Sequence, residues 1–324
     1  MCVECVFVCL GLGATLFPPQ PQTSSRPSLE AEEQYIKAGK IAAKIREQIR
    51  GEVKPGVKAI DICERVESHT RQLGGGVAFP CNVDINQVAA HYASPVGDQT
   101  TIQPGQLVKV DIGVHIDGYI ADTAVTICLD PALTLMAKAA EEALAVAIRT
   151  VKAGVRASDI GATIEHTIKN RGFKPIRNLT GHKLGRYIVH AGRSIPNVAG
   201  YDLHRLEEGD VYAIEPFTVL SNAVGEVRDG PPSHIYRFEK KRNLEDPPKQ
   251  MLTYIQQEYR TLPFASRWIL TRFPGPEGQK AFADLLSSHC IMGYPQLLEK
   301  SGGPVAQAEH TVIVQRDGCL VTTS

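Results

Sequence analysis

LVKVDIGVHIDGYIADTAVTI, residues 107–127, alternates with period two on both sides of Asp117-Gly118. Period two is the strand signature, and Asp-Gly favours a two-residue hairpin turn because both positions tolerate positive φ. A turn there pairs Ile116 with Tyr119, Gly113 with Asp122 and Asp111 with Ala124. Asp111 and Asp122 then become diagonal neighbours on one face, roughly 7 Å apart. Val108, Val110, Ile112, Val114 and Ile116 form the opposite, core-facing row. Two adjacent carboxylates repel unless something positive sits between them. A solvated strand face is the ordinary reading of such a pair. The tight apolar framing argues instead for burial, and buried carboxylates want a metal.

More candidate ligands stand at strand ends further along. Glu215 closes the apolar strand VYAI and precedes Pro216. Glu309 lies in VAQAEHTVIV, which reads as one alternating strand with Gln307 and Thr311 on the glutamate's face. His182 sits in NLTGHKLG, between glycines that permit close approach, and His190 follows in YIVHAG. Each alone is weak, since a single histidine is more often structural than a ligand. Together they make two Asp, two Glu and one His. Mostly oxygen donors with one imidazole suit a pair of Mn, Fe, Co or Zn ions better than a structural zinc.

The chain also repeats itself. KPGVKAIDICERVESHTRQLGG (54–75) and KAGVRASDIGATIEHTIKNRGF (152–173) share eight of 22 positions. Each copy follows a helical segment, Tyr35–Arg50 or Leu133–Lys152. Each opens a second helix, with Asp61 or Asp159 as the expected N-cap, Glu64 as a capping-box partner, and Gly74 or Gly172 as the stop. IQPGQLVKVDIG (102–113) aligns without gaps to LEEGDVYAIEPF (206–217), placing Asp111 on Glu215. Two repeats in the same order imply two similar αβ halves facing each other.

Composition bounds the function. With 324 residues, 43% hydrophobic and 22% charged, the chain suits a globular enzyme rather than a disordered one. Thirty-five basic residues against 35 acidic leave no net charge to drive nucleic-acid binding. The longest apolar run, Val6 to Phe17, falls short of the ~18–20 residues of a spanning helix. Residues 1–30 stand apart as an extension expected to be disordered and dispensable. Cys2, Cys5 and Cys9 there have metal-like spacing but no fourth ligand nearby, and no positive stretch supports a signal peptide. The other five cysteines are scattered singly, as buried thiols are.

VDIGVHIDGYIADTA, TGHKLGRYIVHAGRSIPN, AIEPF and VAQAEHTVIV resemble the type 2 methionine aminopeptidases in their short, archaeal-like form. The likeness runs from about residue 31 to the C-terminus and takes in AFPCNVDINQVAAHYASP, with Phe79 and His91. It implies an α+β pita-bread fold: a curved, mostly antiparallel sheet with pseudo-twofold αβ halves covered by helices. The catalytic domain would span 31–324, with a helical subdomain inserted at 235–297. Within it Pro247–Tyr259 and Pro276–His289 read as helices, and LPFASRW supplies aromatics to a local core.

The resemblance further implies two divalent ions (Co, Mn, Fe or Zn) held by Asp111, Asp122, His182, Glu215 and Glu309, with Asp122 and Glu309 bridging. A bridging hydroxide would attack the first peptide carbonyl, with Glu215 shuttling protons and His91 and His190 positioning the substrate. Phe79 and Val189 would line the first side chain's pocket, with His91 and His234 at its rim. The implied activity is removal of N-terminal methionine from nascent proteins and peptides, preferring a small second residue. The implied setting is a cytoplasmic monomer with no DNA or membrane partner. Lys240-Lys241-Arg242 reads as a solvated edge, with a ribosomal contact as the alternative. The rivals are an Xaa-Pro peptidase of the same fold, which usually carries an extra N-terminal domain, and a binding protein on this scaffold that has lost ligands.

Overall fold

The computed structural model describes residues 28–324. Cys2, Cys5, Cys9 and the rest of the segment before Ser28 lie outside the described residues. The first half comprises α1 (Leu29–Glu52), α2 (Ala59–Gln72), β1 (Gly76–Ile85), β2 (Val88–Ala90), β3 (Leu107–Ile116) and β4 (Tyr119–Cys128). The second opens with α3 (Thr134–Thr150), α4 (Ala157–Asn170), β5 (Phe173–Pro175), β6 (Thr180–Lys183) and β7 (Ser194–Pro196). It continues through β8 (Val211–Ile214), β9 (Phe217–Leu220) and β10 (Val227–Phe238). Next come α5 (Pro248–Tyr259), β11 (Phe264–Ala265), α6 (Ser266–Arg272) and α7 (Gly275–Ser287). The chain ends with β12 (Ile291–Glu299), β13 (Val305–Gln307), β14 (His310–Gln315) and β15 (Gly318–Val321).

α1 begins well before Tyr35 because Ser28 caps it: its Oγ accepts the Ala31 N–H at 3.2 Å. Glu30 and Glu32 in the first turn face the positive end of the helix dipole. The boundary expected after residue 30 therefore falls inside the helix. α2 and α4 also start earlier than expected, and Asp61 and Asp159 are first-turn residues rather than N-caps. The start is set by Lys58 and Arg156, which are held extended by β-bridges to Thr101 and Arg205. Gly74 and Gly172, at φ 83° and 79°, follow the helix ends as read.

The duplication extends to individual hydrogen bonds. Gly56, Ala59 and Ile102 donate to Ile102, Thr100 and Val57 at 2.8, 2.9 and 2.8 Å. Gly154, Ala157 and Leu206 donate to Leu206, His204 and Val155 at 2.8, 2.9 and 2.9 Å. In the first half α1 and α2 bury Ile45, Ile49, Ile62 and Val66 against Val108, Val110, Ile112 and Val114 of β3. In the second, α3 and α4 bury Met136, Leu144, Ile160 and Ile164 against Tyr212, Ile214 and Val312.

The sheets run β1-β3-β4, β15-β14-β8-β6-β7, β13-β9-β5 and β11-β10-β12-β2. Their pairings are antiparallel. Threonines join the halves where the ladders stop. Thr311 Oγ1 accepts the Asp122 N–H at 2.7 Å and donates to the Asp122 carbonyl at 2.8 Å. Thr123 donates to the Glu309 carbonyl at 2.8 Å, and Thr126 to that of Gln307 at 2.6 Å. Arg46 of α1, itself buried, donates to Thr123 Oγ1 at 2.7 Å and the Thr323 carbonyl at 2.8 Å.

α5, α6 and α7 pack around Met251, Ile255, Phe264, Phe282 and Leu285. Glu67 of α2 ties this unit to the first half by accepting from Arg267, from Trp268 Nε1 at 2.8 Å and from the Cys81 N–H at 3.2 Å. Its three donors offset the desolvation cost that an isolated buried carboxylate would leave uncompensated. Among the described cysteines, which are all free thiols, Cys63, Cys81 and Cys290 are buried, whereas Cys128 and Cys319 are half-buried. No helix among the described residues is long and apolar enough to cross a membrane.

Candidate metal centre

The β3–β4 hairpin has the register read from Asp117-Gly118: Ile116 faces Tyr119, Gly113 faces Asp122 and Asp111 faces Ala124. Asp111 and Asp122 are 9% and 3% exposed, so the apolar framing did mean burial. His182 arrives on β6, where a Cβ on Gly181 would stand 2.4 Å from the Ala213 carbonyl oxygen. That glycine lets β6 press against β8 and brings the imidazole to the carboxylates. Glu215 and Glu309 meet at a break in pairing. β8 and β14 pair as far as Ile214 and His310, and β9 and β13 resume at Phe217 and Gln307. VAQAEHTVIV is thus two strands rather than one, because the chain passes from one sheet to another at Ala308-Glu309. Pro216, with no N–H to give, stands in the same break.

His182 Nε2 lies 3.6 Å from Asp122 Oδ2 and 3.5 Å from Glu215 Oε1. Asp122, His182 and Glu309 bring ligand atoms within 4.8 Å of one another. Gln307 Nε2 reaches Glu215 Oε2 at 3.4 Å and Glu309 Oε2 at 3.5 Å. Asp111 lies beside Asn82, Asp122 and Gln307. Asp111 Oδ1 and Asp122 Oδ1 are buried without a hydrogen-bond partner, while the His182 ring lies beside the Val189 backbone.

The electrostatics agree with an arrangement built around cations. Burial pushes the Asp111 carboxyl up to about 6. Burial, then repulsion from Asp111 and Glu215, drives Asp122 well above the carboxylate range. Glu215 and Glu309 are raised by the same two causes. Burial holds His182 down at about 4, so its imidazole is neutral and can offer a lone pair. Crowded, under-donated carboxylates around a neutral histidine suit divalent ions, whose charge reverses each of the carboxylate shifts.

A second group of residues surrounds this cluster. The His190 ring stands 4.4 Å from that of His182 and opens onto solvent. The cleft walls, then His182, His91 and Arg237, hold it well below the ordinary histidine range. His91 has a left-handed backbone (φ 73°), and its Nδ1 lies 3.3 Å from the Pro295 carbonyl oxygen. Phe79 and Val189 share an apolar cluster with Tyr35, Ile120, Leu184 and Leu262. The Phe79 ring lies over Gly113, where a Cβ would stand 2.3 Å away. His234 is half-buried in an irregular stretch of β10, between the Pro232–Pro295 and Tyr236–Gly293 pairs, across from Tyr294. Tyr294 in turn packs edge-on against His91 at 5.6 Å.

Tyr35, Leu262, Asn82, Arg46, Thr123 and Thr126 were not singled out by sequence. Their partners lie far along the chain, and no local spacing marks them. Asn178, formally a glycosylation acceptor in Asn178-Leu179-Thr180, is a clamp: its side chain exchanges two 2.9 Å hydrogen bonds with the Val227 backbone.

Residues 33–316 match the profile of metallopeptidase family M24. The chain belongs to metallopeptidase family M24. It is 46% identical over 295 residues to a methionine aminopeptidase of Methanothermobacter thermautotrophicus, covering 90% of this chain and 98% of that protein. A solved methionine aminopeptidase from Thermotoga maritima shares its fold, with TM-score 0.67, 22% identity, and 93% and 99% of the two chains covered. A thermophilic Arx1 superposes with TM-score 0.76 at 20% identity, covering 91% of each chain. The paired, curled antiparallel half-sheets are therefore the M24 pita-bread fold, and the chain is a metal-dependent peptide hydrolase of that family.

Proposed function

We propose that this M24 enzyme removes N-terminal methionine from peptides and nascent proteins, preferring a small second residue. Supporting this reading is the convergence of Asp122, His182 and Glu309 next to the apolar cluster that holds Phe79 and Val189. The chain also spans nearly the whole length of a methionine aminopeptidase. Two divalent ions (Co, Mn, Fe or Zn) would be held by Asp111, Asp122, His182, Glu215 and Glu309. Bound there, they supply Lewis acidity for the scissile carbonyl and acidify water toward a pKa of ~7.

Glu215, the most exposed of the four carboxylates, takes the proton of the attacking water and passes it to the leaving amine. His91 donates through Nδ1 to Pro295, which leaves Nε2 as an acceptor for the substrate's first amide N–H. His190, open to the cleft, donates to the carbonyl oxygen as its charge develops. Phe79 and Val189 take the flexible thioether, with His91 and His234 at the rim. A small second residue is favoured because it would have to lie near the crowded metal centre. The enzyme acts as a cytoplasmic monomer, on free peptides or on chains emerging from the ribosome.

The test uses full-length protein supplied with Mn or Co. Free methionine should appear from Met-Ala-Ser but not from its N-acetylated form, and an Xaa-Pro dipeptide should survive. A chelator should stop the reaction and added metal restore it. Preferential cleavage of the Xaa-Pro dipeptide, or metal binding without any cleavage, would overturn the reading.

A further inference from the structure

The loop from Gly185 to His190 carries Val189 and His190, yet little of its conformation comes from sheet pairing. It closes on itself through Gly185 and Ile188, whose backbones exchange hydrogen bonds of 2.8 and 3.0 Å. At its tip Tyr187 has φ 58°, a left-handed conformation that a bulky residue keeps only when its surroundings impose it. Two separate parts of the molecule do so.

The β3–β4 turn holds one side. The Tyr187 N–H donates to the Gly118 carbonyl at 2.8 Å, and Arg186 Nε to that of Asp117 at 2.8 Å. The Tyr187 ring lies so close over Gly118 that a Cβ there would stand 2.3 Å from it. The helical unit holds the other side, through the segment that follows α5. The Arg260 guanidinium lies 4.3 Å from the Tyr187 ring centroid, a cation–π distance. Thr261 Oγ1 donates to the Tyr187 carbonyl. Leu262, 2% exposed, belongs to the same apolar cluster as Val189 and Phe79.

We infer that Tyr187, gripped by Arg260 and Thr261, is a positioning residue that sets Val189 and His190 in the first-residue pocket. The helical unit thereby shapes substrate choice without touching the metal ligands. This rests on the reading of Val189 and His190 as pocket residues. The His182 backbone is supported independently, by β6 pairing with β7 and β8, so loosening the loop should disturb metal binding far less than substrate choice even though the imidazole touches Val189 and His190.

Tyr187→Ala, Tyr187→Phe and Thr261→Val would be compared with the full-length, metal-loaded parent. Three readouts apply: amide exchange of residues 185–190, Mn affinity, and kcat and KM on Met-Ala-Ser against a norleucine analogue. Tyr187→Ala should speed exchange in the loop, lower kcat/KM roughly 10- to 100-fold and blunt the preference for methionine, with Mn affinity within about twofold of the parent. Tyr187→Phe should behave like the parent because it keeps the ring, and Thr261→Val should show a weaker form of the Ala effect. Unchanged loop exchange in Tyr187→Ala overturns the proposal. So does faster exchange with unchanged preference, or a loss of melting temperature with parental kinetics. Should the parent itself fail on Met-peptides, the methionine reading fails, while the exchange data still decide whether Tyr187 holds the loop.

Discussion

Asp111 shows how one side chain carries both fold and chemistry. It sits on β3 with Ile112 and Val110 turned into the helix-covered core, and its own carboxyl turned to the cation site. Burial raises that carboxyl to about 6, so near pH 6 in metal-free protein the proton competes with the metal. Mn affinity should therefore increase as pH rises through about 6 and go on rising above it, because Asp122, Glu215 and Glu309 are held higher still, and binding should release protons. His182, lowered to about 4, is already neutral there and adds no dependence of its own. Asp111→Asn should weaken binding and flatten this slope, read by titration calorimetry in buffers of different ionisation enthalpy. An Asn variant with parental affinity and slope would show that Asp111 is no ligand. Gly113→Ala offers a steric test, because its Cβ would meet the Phe79 ring at 2.3 Å. Overpacking of this kind costs about 1–3 kcal/mol, and the displaced ring should raise KM for Met-peptides. A variant matching the parent in both melting and KM would place Phe79 outside the pocket.

Helix and strand boundaries diverged from the sequence pattern wherever a neighbour outbid a local signal. α2 and α4 carry good capping carboxylates, yet the β-bridges at Lys58 and Arg156 start both helices earlier. VAQAEHTVIV alternates cleanly, but its two ends pair with strands of different sheets. By contrast, the β3–β4 register was fully legible, because a two-residue turn leaves a hairpin only one alignment. α1 offers a prediction here. Its start depends on Ser28, so a chain beginning at Pro27 should retain parental melting and turnover. Ser28→Ala should lower stability by about 1 kcal/mol, measured by urea unfolding. A large loss on removing residues 1–26 would assign that segment a structural or catalytic part.

The molecule as a whole depends on joining two copies of one αβ design. β4 and β14 share no ladder, so at this seam Thr123, Thr126 and Thr311 bridge the halves through side-chain hydroxyls, beside a single backbone bond from the Glu309 N–H to the Ala124 carbonyl at 3.3 Å. Thr311→Val keeps shape but leaves the buried Asp122 backbone N–H without its partner. It should cost about 1–3 kcal/mol in urea unfolding and reduce metal affinity, since Asp122 and Glu309 are aligned across this seam. Parental stability together with parental affinity would mean that the Thr311 bridge is dispensable at this seam.

The duplication, the hairpin and the residue types of a mostly oxygen cation site could all be read from the chain, because each rests on short-range spacing or on self-similarity. That Glu215 should face Glu309, that His182 should reach Asp122, and that Tyr35 and Leu262 should join Phe79 and Val189 could not. Those meetings join residues far apart along the chain and depend on how two half-sheets curl and abut. The curl follows from strand twist and from breaks such as Pro216, and no local pattern encodes the angle at which the halves meet.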